Sequence, residues 1–67
     1  MFIVVELQKS ADGVVSNIVT SFDNQGAAES KYHSVLAAAA ISKLPVHSAT
    51  ILTEEGFQLA HQCYKHV

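Results

Sequence analysis

The first residues of the chain alternate between apolar and polar side chains, which predicts a β-strand over residues 2–9. The odd positions Ile3, Val5 and Leu7 are all apolar, whereas the even positions include Glu6 and Gln8. An alternation of period two is typical of a strand that packs one face against a core. We therefore expect the odd-numbered side chains of this strand to point inward.

A tight turn and a second strand follow. Asp12 and Gly13 are placed for a hairpin turn, because aspartate and glycine accept the backbone angles that such turns require. The return strand runs from Val14 to Ser21, and both of its faces carry valine or isoleucine. Such a composition is typical of a central strand or of one that a partner covers. The sequence thus predicts a β-hairpin over residues 2–21.

The next segment, residues 24–43, has the pattern of a helix. Asp23 or Asn24 supplies a side-chain acceptor for the first amide groups of the helix. Pro45 ends the element, because it restricts Leu44 to extended backbone angles. With about 100° per residue, the apolar positions fall into two stripes. The first stripe, which we expect to face the sheet, comprises Ala28, Tyr32, Val35, Leu36 and Ala39.

The second stripe of the helix lies roughly opposite the first and is small and nearly uncharged. An ordinary surface helix carries charged side chains there, so we interpret this stripe as an interface with another copy of the chain. The run of alanines at 37–40 favours helix and lets another backbone approach closely. The predicted interface consists of Ser30, Ser34, Ala37, Ala38 and Ile41.

A second hairpin, over residues 46–65, completes the chain. Residues 50–53 favour strand, the sequence Glu54-Glu55-Gly56 is typical of a turn, and residues 57–65 alternate again. The elements therefore follow the order β-β-α-β-β within one domain, residues 1–67. We predict an α+β fold in which a four-stranded antiparallel sheet carries one helix on one face. The order of the strands in the sheet stays open.

One helix cannot cover both faces of such a sheet. We expect bare apolar side chains on the second face at Val4, Val14 or Val15, Val19 and Ala60. A domain near 60 residues is marginally stable without a disulfide, a metal or oligomerisation. Cys63 is the only cysteine, which excludes an intrachain disulfide, and 49% of the residues are hydrophobic while 15% are charged. The sequence therefore predicts a homo-oligomer.

Charge and composition narrow the classes of partner. All four cations are lysines, they are spread along the chain, and the net charge is −2. A nucleic-acid binder would carry a basic cluster, so we expect no nucleic-acid partner. No apolar run approaches the roughly 20 residues of a membrane span, and the start of the chain lacks the basic region of a signal peptide. A lone thiol favours a reducing compartment, and we expect the cytoplasm.

Few residues indicate an enzyme. His61, Cys63 and His66, joined by His47 from the neighbouring strand, come nearest to a metal site but lack the close paired spacings of zinc motifs. Cys63 beside histidines is the one candidate nucleophile, and nothing marks an oxyanion site. The glycines are isolated, so the sequence contains no phosphate-binding loop. We expect no catalytic activity, no metal and no cofactor.

Two short segments each place a cation, an aromatic ring and an imidazole close together, one in the helix and one at the C-terminal end. If an oligomer brings the two segments together, they bind a phosphate or another anion while a ring stacks on a base. The alternative interpretation is ordinary solvated lysine and histidine beside a packed tyrosine. The candidate ligand-binding residues are Lys31, Tyr32, His33, Ser34, Tyr64, Lys65 and His66.

Three stretches of the chain resemble a group of small proteins encoded by phages and mobile elements of gut bacteria. They are Ala28-Glu29-Ser30-Lys31-Tyr32-His33-Ser34-Val35-Leu36-Ala37-Ala38-Ala39-Ala40, Pro45-Val46-His47 and Cys63-Tyr64-Lys65-His66. No activity is established for this group. The resemblance therefore implies a genomic setting, and with it the cytoplasm of a bacterial host, but no site residues.

Two functions compete in that setting. The first is a homo-oligomer that sequesters a small anionic or nucleotide-like ligand, such as an immune signal of the host, in pockets between subunits. It rests on an analogy of size, setting and assembly. The second is a protein–protein interaction module, either a virion accessory part or an inhibitor of a host protein, without a small ligand. We favour the first, because lysines and aromatic rings are available and a single-sign charged patch is not.

Overall fold

Two β-hairpins flank one helix in the computed structural model, which describes residues 1–66. The four strands form one antiparallel sheet in the order β2-β1-β3-β4, so the two central strands come from different hairpins. The predicted α+β class and β-β-α-β-β order are confirmed. The elements are β1 Phe2–Lys9, β2 Val15–Phe22, α1 Gln25–Ala40, β3 Val46–Thr53 and β4 Gln58–Lys65.

Both hairpin turns depend on a glycine with positive φ. Gly13 has φ 90° and Gly56 has φ 93°, values that side-chain-bearing residues adopt only with strain. In the first turn the Ser10 amide donates to the Val14 carbonyl at 2.9 Å, and the Gly13 amide donates to the Ser10 carbonyl at 3.0 Å. The turns that the sequence predicts at Asp12-Gly13 and Glu54–Gly56 are therefore confirmed.

The core lies between α1 and one face of the sheet. From the helix it contains the first apolar stripe: Ala28, Tyr32, Val35 and Ala39 are buried, and Leu36 packs against them partly exposed. The sheet contributes the buried side chains of Val4, Ala49 and Ile51, with Phe2, Phe22 and Ala60 packed around them. The expectation for this stripe of the helix is confirmed.

The expectation that the odd positions of β1 point inward is wrong. Val4 is 1% exposed beneath the helix, and strand alternation places Ile3, Val5 and Leu7 on the opposite face. Both faces of β1 are apolar near its start, so the pattern could not identify the inner one. Glu6 and Gln8 favoured the odd face as the inner one, but on the even face Glu6 bonds to the buried His47 and Gln8 donates to the same carboxylate.

The bare residues expected on the second face are half right. Val15 and Val19 lie on that face and are 62% and 60% exposed. Val4 and Ala60 instead belong to the helix side of the sheet, where their Cα partners in β3 include the buried Ile51. The error has the same origin as the inverted strand β1.

The helix begins near its predicted start and ends earlier than predicted. Asn24 is the N-cap, and its side-chain oxygen accepts from the Ala27 amide at 2.7 Å. At the other end the helix stops at Ala40 rather than at Lys43. The Ser42 hydroxyl accepts from the Leu44 amide at 3.0 Å, and such a local side-chain bond competes with continued helix.

Replacing the cap tests how far α1 depends on it. Asn24→Ala removes the acceptor of the Ala27 amide, and we expect the free energy of unfolding to fall by about 1 kcal/mol. Urea denaturation followed by circular dichroism measures the difference. Asp23→Ala, at the exposed neighbouring position, is the matched control and should change stability by less than half as much. An equal loss in both variants would contradict the assignment of Asn24 as the cap.

Candidate functional sites on the two faces of the sheet

A cluster of three polar side chains lies on the helix side of the sheet, where the apolar core ends. The His47 ring Nε2 and the Glu6 Oε2 are 2.6 Å apart, and the Gln8 amide donates to the same carboxylate oxygen at 2.9 Å. Gln8 and His47 are Cα partners in neighbouring strands, and Glu6 lies two residues before Gln8 in β1, on the same face. The register of β1 with β3 therefore places all three on one face.

His47 is the buried member of the cluster, whereas Glu6 and Gln8 are partly exposed, and hydrogen bonds influence the charge of Glu6. His47 is 4% exposed, and its Nδ1 has no hydrogen-bond partner among the described residues. Burial alone raises the pKa of Glu6. The hydrogen bonds from His47 and Gln8, with the electrostatic effects of His47 and Lys31, outweigh burial and hold the pKa of Glu6 below its ordinary value of 4.5. Glu6 is thus held as a carboxylate inside the fold.

Aromatic side chains from α1 and β4 lie beside this cluster. Tyr64 is the Cα partner of His47, so it belongs to the helix side of the sheet. Burial raises the pKa of Tyr32, and the nearby Tyr64 raises it further. The rings of Tyr64 and His66 are parallel, with centroids 6.3 Å apart. The Nε2 of His66 is 2.9 Å from the Ala39 carbonyl, an acceptor, so this nitrogen carries the proton and donates.

The structure brings some of the predicted ligand-binding residues together and separates others. Tyr32, Tyr64 and Lys31 all lie on the helix side, where Lys31 is close enough to Glu6 to lower its pKa. His33 and Ser34 are exposed on the helix. Lys65 alternates with Tyr64 and therefore lies on the opposite face of the sheet. Within one chain, the helical set and the C-terminal set share only part of one surface.

The stripe of α1 that the sequence marks as an interface is open in the single chain. Ile41, at its end, is 85% exposed, the highest value among the large apolar side chains. The remaining members are small and exposed. The assignment of Ser30, Ser34, Ala37, Ala38 and Ile41 to a contact between copies stays a prediction.

The second face of the sheet, which we call the open face, has no helix over it and carries apolar side chains from all four strands. Thr50 and His61 are Cα partners on this face, and their side chains are hydrogen-bonded at 2.9 Å on the side away from the helix. The face contains no aspartate or glutamate, and its cations, Lys9 and Lys65, flank Val46 at one end. Its apolar members are Ile3, Val5, Leu7, Val15, Val19, Val46, Leu52, Leu59 and Cys63.

Sequence reasoning missed the polar cluster and found the open face only in part. Glu6 and Gln8 occupy alternate positions of a strand otherwise rich in apolar residues. This pattern is the one sequence signal for a polar partner on the same face. His47 was considered only as a metal ligand. Among residues 1–66, no group of three or more His, Cys, Asp or Glu side chains is arranged to hold a metal, and no pocket is present.

Comparison with known proteins adds no assignment. No protein-family model, no curated protein and no solved structure matches the chain. Within the described residues, α1 is the only helix, and it is too short and too weakly apolar to cross a membrane. The functional argument therefore rests on the two faces of the sheet.

The low pKa of Glu6 predicts an acid dependence of stability. Because the folded-state pKa lies below 4.5, the contribution of Glu6 is present above that pH and is lost as the pH falls through the folded-state value. We expect the free energy of unfolding to decrease below about pH 5, and to decrease less in Glu6→Gln. Urea denaturation at a series of pH values measures both slopes.

The matched control is Glu55→Gln, which removes an exposed carboxylate from the β3–β4 turn. This variant should retain the acid dependence of the unmodified chain. If Glu6→Gln and Glu55→Gln have the same slope, the carboxylate of Glu6 is not the group that couples folding to pH.

Proposed function

We propose that this protein is a homo-oligomeric binding protein whose copies associate through the open face of the sheet. The observation that supports this most directly is the chemistry of that face. It joins apolar side chains from all four strands, and those at its margins are strongly exposed: Val15 by 62%, Val19 by 60% and Leu59 by 46%. Contiguous apolar surface of this kind marks association sites in soluble proteins.

The size of the open face meets the requirement of a small dimer. Four strands of eight residues span about 19 Å by 26 Å, on the order of 500 Å² in projection. Two copies facing each other would bury roughly 1,000 Å², the minimum area expected of a biological interface. A second copy of this chain supplies the same area and the same apolar chemistry.

The distribution of charge supports a particular orientation of the two copies. Lys9 and Lys65 lie at one end of the open face, and the turn that carries Glu54 and Glu55 lies at the opposite end of the sheet. A two-fold axis in the plane between the sheets that reverses the strand direction sets the lysine end of one copy over the glutamate end of the other. This arrangement brings the lysines of one copy near Glu55 of the other, and near Glu54, which in its own chain pairs with the Met1 ammonium at 3.0 Å. Apolar side chains lie between the two rims.

For the bound molecule we propose a small anionic or nucleotide-like ligand, held on the helix side of the sheet and therefore away from the open-face contact. Its support is the surface on the helix side that carries Lys31, Tyr64 and His66, which offer an amine, a phenol and an imidazole. The neighbouring Tyr32 is only 6% exposed and belongs to the core. A cation with flanking rings suits a phosphate joined to a base. In the phage setting that the sequence suggests, such a protein would sequester a nucleotide signal of the host.

A protein partner is the second candidate, and the open face favours it as well. A broad apolar surface without a pocket is typical of contacts between proteins rather than of small-ligand sites. On this alternative the chain is monomeric in isolation, and its open face is covered by another protein.

The mass of the protein in solution tests self-association. We expect native mass spectrometry to show multiples of the 7.2 kDa chain at micromolar concentration. Leu59→Glu introduces a charge on the open face and should lower the mass of the assembly, while Val14→Glu, at a valine 59% exposed outside that face, should leave it unchanged. A 7.2 kDa species alone would refute self-association and support the second candidate.

A third variant separates the open face from the helix stripe. Ile41→Glu places a charge on the predicted helical interface, at a side chain 85% exposed. If Ile41→Glu dissociates the assembly and Leu59→Glu does not, the copies associate through the helix and the open-face contact is wrong.

Ligand binding is tested by the thermal shift of the assembled protein with a panel of linear and cyclic nucleotides. We expect at least one nucleotide to raise the melting temperature, and Lys31→Ala to abolish that rise because it removes the amine of the proposed site. Lys43→Ala, which removes an exposed lysine beyond the end of α1, should retain it. No shift with any nucleotide, or equal losses in both variants, would contradict the ligand proposal.

A further inference from the structure

The outer edge of β2 is an unprotected strand edge. Between Asp12 and Asp23 the chain has no charged residue and no proline, and β2 itself has no glycine. Apolar side chains are exposed on both of its faces: Val15 and Val19 on the open face, and Ile18, 48% exposed, on the helix side. Soluble proteins ordinarily protect such an edge with charge, proline or a bulge.

The other edge of the sheet has that protection. The pairing of β4 with β3 contains a register shift next to Leu52, which is a β-bulge or a similar irregularity. β4 also carries Lys65, a histidine and two glutamines among its eight residues. The contrast between the two edges indicates that β2, and not β4, is the edge left open for pairing.

The hydrogen bonds of the first turn show which backbone groups of β2 point outward. The Ser10 amide donates to the Val14 carbonyl, so Ser10 and Val14 form a hydrogen-bonded pair. Such pairs alternate along an antiparallel ladder. Ser16, Ile18, Thr20 and Phe22 therefore bond inward to β1, and the outward amide and carbonyl groups belong to Val15, Asn17, Val19 and Ser21.

The bond from the Glu54 amide to the Met1 carbonyl, 3.1 Å long, checks this assignment independently. It starts the ladder between β1 and β3 and, by the same alternation, makes the odd residues of β1 bond to β3. The even residues of β1 are then left for β2, which is the pattern that the Ser10–Val14 bond requires. The two ends of the sheet agree.

We propose that β2 pairs with β2 of a second copy, antiparallel about a two-fold axis that passes beside Ile18. The proposal deepens the homo-oligomeric function above, but it stands on the edge and not on the open face. In this register Val15 lies opposite the partner's Ser21 and Asn17 opposite the partner's Val19. The outward groups of four residues per copy are then satisfied by about eight hydrogen bonds.

The register follows from two requirements. A two-fold axis normal to the sheet keeps the helices of both copies on one side, so residues opposite each other must share a face. Among registers that satisfy this, the one with Ile18 on the axis uses every outward group of β2. A shift that instead places Val19 on the axis leaves Val15 beyond the end of the partner strand.

The side chains of β2 suit a second copy. No charges face each other in this register, and Ile18 lies against Ile18 of the other copy as a pair of β-branched residues. Ser16 lies opposite Thr20 on the same face, where their hydroxyl groups are placed for hydrogen bonding. The identical strand thus meets the requirements of the edge without any other partner.

A disulfide across the axis tests the register. Residues opposite each other in a non-hydrogen-bonded pair have Cα atoms about 4.5 Å apart, within the range that a disulfide spans. In a Cys63→Ser background, Ile18→Cys should form a covalent dimer under mild oxidation. Ser16→Cys, on the same face two residues away, should not, because its own copy lies about 13 Å distant along the strand.

Either of two results would overturn the proposal: an Ile18→Cys variant that keeps its thiol under this oxidant, or a Ser16→Cys variant that crosslinks as fast. The outcome is separable from that of the open face. Adding Leu59→Glu to Ile18→Cys should leave the crosslink intact. A crosslink that persists when Leu59→Glu has no effect on mass would sustain the edge pairing and refute the open-face contact.

A backbone variant gives a second readout that does not depend on cysteine chemistry. Asn17→Pro removes an outward amide that does not bond to β1, and edge strands tolerate proline at such positions. We expect the circular dichroism spectrum to be kept and the mass of the assembly to fall by half. Asn17→Ala keeps the amide and should keep the mass. An unchanged mass in folded Asn17→Pro would contradict the pairing.

Discussion

The structure is governed by a mismatch between one short helix and a sheet of four strands. A helix is about 10 Å wide, whereas the sheet is about 19 Å wide, so α1 covers the middle of one face and little more. The core is correspondingly centred on β1 and β3. Ile18 shows the lateral limit of this cover, since it lies on the helix side and is still 48% exposed. The open face and the bare edge of β2 both result from this mismatch.

The polar cluster links β1 to β3 on the face of the sheet that the helix covers. Because both faces of β1 carry apolar residues, hydrophobic burial alone would distinguish them poorly. With the helix on the observed face, Glu6 and Gln8 meet His47, and the carboxylate is satisfied inside the fold. A register slip of one residue would move Glu6 and Gln8 to the uncovered face and leave the buried His47 without its carboxylate partner.

Local features of the fold could be read from the sequence, and the features that depend on choosing between two similar surfaces could not. The turns at Gly13 and Gly56, the cap at Asn24 and the inner stripe of α1 follow from backbone preference and periodicity. The inward face of β1 did not follow, because both faces carry apolar residues and the bonding partner of Glu6, His47, lies about 40 positions away in the sequence. An uncovered apolar face was predicted, but Val4 and Ala60 were assigned to it because the inner face of the sheet had been chosen wrongly. Tyr64 and Lys65 lie on opposite faces of the sheet, which became clear only once β4 was known to be a strand of that sheet.

The two exposed surfaces need different chemistry from a partner, and a second copy can provide both. The open face needs apolar contact, whereas the edge of β2 needs backbone donors and acceptors. The axis proposed for the edge is normal to the sheet, and the axis proposed for the face lies in the plane between two sheets. Perpendicular two-fold axes that intersect generate a closed set of four copies, which is a common symmetry of soluble oligomers. In that set the β4 edges, with their irregular register and with Lys65, are the sheet edges that remain in water. Assembly would therefore stop at four copies rather than continue into a fibre.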